Sequence, residues 1–302
     1  MHGGLVVPGV SVRQLFPDLG RRTLILGVVN VTPDSFSDGG QSFALEGAVD
    51  TALRLMDEGA DALDIGGEST RPGSVPVTVD EELRRVIPVV EALSKRGVGP
   101  ISVDTTKAEV ARRALEAGAS LVNDISGMSF DDEMPRVVAA AGVPVVLTHT
   151  RDRPSRMQLG TIEYPGGVLK SVEAALSLRI EAALAAGIGR ASLVVDPGIG
   201  FGKTTAQNLE ILRGLSILKR SLACPILVGT SRKAFIGAIT QKGVEDRAFG
   251  TAASVALAIA AGADFVRVHD VSEMADVVAV ADAVVRPTTV PPEEAGRIQG
   301  GV

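Results

Sequence analysis

Polar side chains recur in this chain at one kind of place, the end of a short apolar run or a residue or two beyond it. Asn30 ends "TLILGVVN", Asp64 and Glu68 belong to "ADALDIGGE", Asp104 ends "PISVD", and Asn123 and Asp124 end "ASLVND". His149 follows "PVVLT", Asp196 ends "ASLVVD", Ser231, Arg232 and Lys233 stand just past "PILVG", and Arg267 and His269 close "ADFVRVH". An ionised group left unpartnered in apolar surroundings costs several kcal/mol, so each must have a partner, and a ligand can supply one. The serine with two cations at 231–233 suits a phosphate or a carboxylate. Taken singly, each residue has a plainer reading. Asp or Asn after a strand often caps the next helix, His149 could be a satisfied core histidine, and Arg232 and Lys233 could be solvated surface charges. Recurrence at nearly every run favours a ligand site.

The elements that must position these residues repeat as a helical stretch, a glycine, then a β-rich run. Gly59, Gly97, Gly118, Gly142, Gly187 and Gly262 each stand where a helix C-cap favours a left-handed residue. The runs that follow read as buried parallel strands. With "TLILGVVN" and "PILVG" they make eight, alternating with about eight helices; in one of these, Leu45, Val49, Ala52 and Met56 share a face. That alternation predicts an α/β fold, a single-domain (β/α)8 barrel, with its chemistry at the C-terminal ends of the strands. The segment "NVTPDSFSDGG", 30–40, then becomes the first loop over that face, and the loops after strands seven and eight become candidates for phosphate. A doubly wound open sheet is the structural rival, but its dinucleotide fingerprint is missing. "GIGFGKT" is not a phosphate loop either, because Pro197 occupies the position where the leading glycine belongs. The barrel is expected over 21–286, with 1–20 as an N-terminal extension outside it and 287–302 as a disordered tail.

Composition narrows the function classes. A net charge of −6 with no Trp and one Tyr argues against nucleic acid as a partner, and mean hydropathy of +0.27 with 45% hydrophobic residues argues for a globular chain. The longest apolar stretch, 252–263, is too short for a bilayer, and the N-terminus lacks a secretory pattern, so no membrane partner and a cytoplasmic location are expected. One cysteine excludes an internal disulfide, and no Cys/His cluster offers a zinc site.

Seven segments, "GVVNVTPDSFSDGG", "DIGGESTRPGS", "ISVDTT", "NDISG", "DPGIGFGKT", "LVGTSRKAFIG" and "RVHDV", resemble in order those of dihydropteroate synthases of bacterial folate biosynthesis, across about 23–284. The resemblance implies an enzyme that joins 6-hydroxymethyl-7,8-dihydropterin diphosphate to p-aminobenzoate by a dissociative displacement. It implies that Asp104, Asn123, Asp196 and Lys233 hold the pterin and that Arg267 stacks on it, with Asp104, Lys233 and Arg267 catalytic. A carboxylate meets the forked N–H edge of such a ring with paired hydrogen bonds, and a guanidinium suits its face. It further implies Asn30, Arg71, Arg267 and His269 at the diphosphate, Asn30 as the contact to a Mg2+ cofactor, and Thr70, Pro72, Phe201, Ser231 and Lys233 around the aminobenzoate. Closure of loops 30–43 and 66–76, a homodimer formed through the last helices and sensitivity to sulfonamides belong to the same expectation.

One departure stands out. Around His149 the chain reads "LTHTRDRPSRMQ", where relatives carry methionines, so Thr148 and Thr150 should make that wall more polar. Two other functions compete: a methyltetrahydrofolate:corrinoid methyltransferase, which has no use for the diphosphate clamp, and a catalytically silent pterin-binding homologue. Diphosphate release that depends on the amine separates them.

Overall fold

The computed structural model describes residues 9–32 and 40–286, so 33–39 of the first loop, residues 1–8 and the tail 287–302 lie outside the described residues. The strands are β1 (Leu24–Asn30), β2 (Ala62–Gly66), β3 (Ile101–Asp104), β4 (Leu121–Asp124), β5 (Val145–Thr148), β6 (Leu193–Asp196), β7 (Leu227–Val228) and β8 (Phe265–Val268). All pair in parallel, β1 with both β2 and β8, and a bridge between Val195 and Ile226 brings β6 to β7 and closes the ring. The eight predicted strands and the (β/α)8 barrel are therefore as expected. Helices α2 (Gly40–Asp57), α3 (Val79–Lys95), α4 (Ala108–Ala117), α5 (Met134–Ala141), α6 (Val168–Ala185), α7 (Thr205–Leu222), α9 (Ala248–Ala260) and α10 (Val271–Val285) wrap it, and α8 (Ala234–Thr240) is an extra helix directly after β7. All six cap glycines have positive φ, from +63° at Gly142 to +117° at Gly118.

Two strand faces make two cores. Outward residues such as Ile25, Ile65, Val103, Leu147, Val195 and Val266 pack with the helices. Inward residues Leu24, Leu26, Ala62, Leu121, Val146, Val194, Leu227 and Phe265 fill the barrel's lower half. Side chains alternate along a strand, so the next inward position of each strand lies one layer higher, at the rim. There the sequence turns polar.

Residues 9–20 are not an extension set apart from the barrel. Ser11 and Gln14 form a reciprocal cap that starts the one-turn helix α1 (Val12–Leu15), and Val12, Phe16 and Leu19 are buried against the inward floor residues. Phe16 meets Phe265 edge-on, with centroids 5.1 Å apart at 76°. The segment covers apolar surface that the N-terminal strand ends would otherwise expose, which a motif search directed at strand ends does not register.

Candidate active site

At the rim, β3 contributes Asp104, β4 Asn123, β5 Thr148, β6 Asp196 and β8 Arg267; all but Asp104 stand two residues beyond an apolar floor residue of their own strand, and Asp104 stands two beyond the buried Ser102. With Thr70, Ile125, Phe201, Gly229, Ser231, Lys233 and His269 they line an open cavity of about 420 Å³. Of the residues expected from sequence, this cavity brings together Thr70, Asp104, Asn123, Asp196, Phe201, Ser231, Lys233, Arg267 and His269. Asn30 is half-buried at the end of β1, while Arg71 and Pro72 are exposed on the β2–α3 loop and do not border the cavity. The Arg71 charge still helps to depress the His269 pKa.

The site has a hub that sequence reasoning left without a role. Asp64, fully buried, accepts from Arg267 Nε at 2.5 Å and Asn123 Nδ2 at 2.9 Å through the same Oδ2. Arg267 Nη2 donates to Asp104 Oδ2 at 2.7 Å, so two carboxylates on neighbouring strands fix the guanidinium. Asn123 spends its amide N–H on Asp64, which leaves its carbonyl to accept from a ligand. Asp104 Oδ1 is buried and has no partner among the described residues. Asp196 Oδ1 accepts from Gly198 N–H at 2.7 Å, and among the described residues no donor reaches Oδ2. Two carboxylates and a carbonyl thus await donors from one bound molecule.

Burial pushes the Asp104 pKa up to about 7, with Asp64, Glu82 and Asp124 adding to the rise against the pull of Arg267. Burial also raises Asp196, opposed by Lys233 and the Gly198 N–H. Lys233 is brought down to about 8 by desolvation, with Asp196 opposing, so near neutral pH it remains mostly a cation. Its Nζ donates to the Ile199 carbonyl and lies 4.1 Å from the Phe201 ring centroid. Arg232, the neighbouring cation, faces away. Its backbone is left-handed (φ +57°), and its guanidinium pairs with Asp270 at 2.5 Å and Glu245 at 2.9 Å. Of the two cations, only Lys233 serves the cavity.

His269 Nδ1 is 3.0 Å from Ser231 Oγ, and burial with the nearby arginines lowers its pKa to about 4. His149 is lowered to about 3 by burial and Lys203. Below pH 6.5 the unfolded chain takes up a proton at each of these positions while the native protein does not, so acidification favours unfolding. Asp104 and Asp196, raised on folding, tilt the whole protein the other way. The comparison of His269→Asn with the parent chain therefore isolates the histidine: between pH 7.5 and 5.5 its stability relative to the parent is expected to rise by about 1.4 kcal/mol. Urea unfolding at the two pH values measures this, and a constant difference would refute it.

The wall next to β5 resolves the departure at His149. Thr148 lines the cavity as expected, but Thr150 donates its hydroxyl to the Asp152 carbonyl at 2.8 Å. Met157, buried, packs with Ile125 and Phe201, so the apolar surface missing beside the histidine is supplied seven residues beyond Thr150. On the opposite side Lys107 pairs with Glu68 and the buried Glu82, and Arg85 donates to the Gly67 carbonyl at 2.8 Å. These bonds anchor the base of the loop that carries Thr70.

Fold and rim together define a (β/α)8-barrel enzyme whose mouth takes a flat ring rich in hydrogen-bond donors, with cations at one margin. A profile of the family described as pterin binding enzyme matches residues 26–269. The chain is 47% identical over 280 residues to a dihydropteroate synthase of Synechocystis, covering 92% of this chain and 96% of the relative, and 46% identical to one of Bacillus subtilis, covering 87% and 89%. A crystal structure of dihydropteroate synthase from Clostridium difficile, obtained in the presence of pteroic acid, superposes with a TM-score of 0.84 at 45% identity, covering 89% of this chain and 99% of that one. That of Xanthomonas albilineans in complex with 7,8-dihydropteroate gives 0.79 at 43% identity, covering 91% and 99%. The chain belongs to the dihydropteroate synthase family.

Proposed function

We propose that the rim cavity carries out the family's condensation of 6-hydroxymethyl-7,8-dihydropterin diphosphate with p-aminobenzoate, releasing diphosphate and 7,8-dihydropteroate. The observation that carries the assignment is that Asp104, Asn123 and Asp196 line one cavity and that, among the described residues, Asp104 Oδ1, the Asn123 carbonyl and Asp196 Oδ2 have no donor. The pterin's aminopyrimidinone edge is a fork of N–H donors that such a set matches. Arg267, held by Asp64 and Asp104, offers its plane to the ring. Phe201, Thr70 and the Lys233 stem border the space left for the aminobenzoate, and Ser231, bonded to His269, joins that end to the diphosphate margin.

The bond from the pterin methylene to diphosphate breaks before the aryl amine attacks, so the carbon carries positive charge that the electron-rich ring shares. Asp104 and Asp196, both buried at the cavity wall, stabilise that charge through fixed charges held in place before the bond breaks. Arg267 and Lys233 favour the departing anion, and His269, kept neutral, offers it an N–H. The amine nitrogen then bonds to the methylene and releases a proton.

The residues present suit a Mg2+ that arrives with its substrate. Among the described residues no cluster of three acidic, histidine or cysteine side chains could hold a metal alone, whereas one amide oxygen from Asn30 with phosphate oxygens and water is an arrangement Mg2+ accepts. When bound, it supplies charge neutralisation at the diphosphate. Diphosphate release that requires aminobenzoate, falls on chelation and is competitively blocked by a sulfonamide is the expected result. Pterin binding without turnover would instead favour a silent homologue.

A homodimer is proposed through α9 and α10. Phe249, Leu257, Val280 and Val284 are 84%, 66%, 67% and 76% exposed, and Phe249, Ala253 and Leu257 recur every four residues along one face of α9. So much apolar surface on two packed helices is the mark of an interface. Phe249→Glu is expected to convert a dimer into a monomer in sedimentation velocity at micromolar concentration, and an unchanged sedimentation coefficient would refute the surface.

A further inference from the structure

The segment "GIGFGKT", 198–204, which imitates a phosphate loop, carries a lysine next to its last residue that is turned into the protein. Lys203 is 3% exposed. Its Nζ lies 2.8 Å from the Gly198 carbonyl oxygen, 3.0 Å from that of Phe201, 3.4 Å from that of His149, and 2.9 Å from His149 Nδ1. Carbonyls can only accept, so the amine donates to those of Gly198 and Phe201, and it exchanges a further hydrogen bond with His149 Nδ1. Desolvation lowers the Lys203 pKa strongly, while Asp196 opposes it. In either protonation state the amine has N–H groups for the Gly198 and Phe201 carbonyls; an ammonium donates to His149 Nδ1 as well, and a neutral amine accepts from Nδ1–H.

The cage shapes the loop between β6 and α7. Gly198 and Gly200 have φ of +70° and +85°; a Cβ on Gly198 would stand 1.8 Å from the His149 carbonyl oxygen, and one on Gly200 2.8 Å from Lys233 Cδ. With the carbonyls of Gly198 and Phe201 drawn inward onto Nζ, the Ile199 carbonyl receives Lys233, and the Phe201 ring lies beneath the same ammonium. Both features that orient Lys233 thus come from a loop gathered around Lys203.

We propose that Lys203 is a positioning residue that acts on Lys233 by holding the β6–α7 loop in register. The inference rests on the role given to Lys233 above. It differs from a general structural role in one respect: the loss on removing Lys203 should be felt only while Lys233 is present.

The test is a double-mutant cycle on the full-length enzyme with Lys203→Met, Lys233→Met and the pair, read as kcat/KM for both substrates, with the melting temperature as a folding control. Misplacement of a working group by about 1 Å lowers rates by about 100-fold. Lys203→Met should therefore lower kcat/KM by about that factor, while the pair should be no worse than Lys233→Met alone. Losses that multiply in the pair would overturn the coupling. A Lys233→Met enzyme with undiminished kcat/KM would instead sink the role given to Lys233. If Lys203→Met does not fold, His149→Phe, which removes one partner and leaves three carbonyls, enters the same cycle. A several-fold loss that vanishes in the Lys233→Met background is then expected, and an independent loss, or none, would overturn the proposal.

Discussion

Replacing Asp196 by asparagine is expected to lower kcat/KM for the pterin substrate by at least about 100-fold while leaving the melting temperature unchanged or raised. A hydrogen bond to a charged group contributes about 1.5–3 kcal/mol, and a carboxylate facing two N–H groups makes two of them. Asparagine keeps an oxygen for the Gly198 N–H, which Asp196 Oδ1 receives at 2.7 Å, but turns an NH2 towards the ligand's own donors. The stability effect has the other sign. Burial raises the Asp196 pKa, so holding the group ionised opposes folding, and a neutral amide of equal size removes that penalty. Calorimetric binding of a pterin analogue, steady-state kinetics and a thermal melt test both halves. A loss below about tenfold, about 1.4 kcal/mol, would refute the placement of the ring against Asp196.

The second large effect belongs to Arg267. Its guanidinium is the shared counter-charge of Asp64 and Asp104, at 2.5 and 2.7 Å, and among the described residues Asp64 Oδ1 and Asp104 Oδ1 already lack partners. Arg267→Met leaves two carboxylates facing one another in a buried site, and breaking such an arrangement destabilises by about 3–5 kcal/mol. In a chain of this size that corresponds to a fall in melting temperature of about 5–8 °C. The loss should grow with pH. Asp104 titrates near 7 in the folded protein against 3.8 for an ordinary aspartate, so between those values the unfolded chain has shed a proton that the native protein retains, and stability falls as pH rises. Without Arg267 the folded value climbs further, so the variant should be nearest the parent at about pH 5 and furthest from it at pH 8. Asp64→Asn in the same background should recover part of the loss. A penalty that is equal at the two pH values would remove the electrostatic account. Catalysis should fail in Arg267→Lys as well, because one ammonium cannot present a planar fork to both carboxylates.

The barrel was legible in the sequence because each of its signals is local. A parallel strand covered on both faces reads as an apolar run, a helix end that needs a left-handed residue selects glycine, and the two alternate. The rim was legible for a related reason: a carboxylate or amide at the end of an apolar run has few places to be except the mouth. The N-terminal segment was misread as external because its hydrophobic residues, Val12, Phe16 and Leu19, belong to no repeat. Thr150 looked like part of the pocket because neighbours in sequence look like neighbours in space, yet its hydroxyl turns back on Asp152, and the apolar wall is Ile125 and Phe201 with Met157 packed against them.

What the string of residues determined by itself is the alternation of strands and helices, the rim positions and the family, all of which depend on residue type and short spacing. What only the tertiary structure decided is which of several similar groups face one another. Asp64 rather than Glu68 joins Arg267, because alternation along β2 points it inward. Lys233 and not Arg232 enters the cavity, because the left-handed backbone at Arg232 turns that side chain out to Asp270. Lys203 braces a loop when its motif suggested phosphate. Each outcome is set by a backbone turn and by partners as many as 203 residues away, and the free energy of such pairings lies in the contact itself, which neither partner carries in its own stretch of sequence.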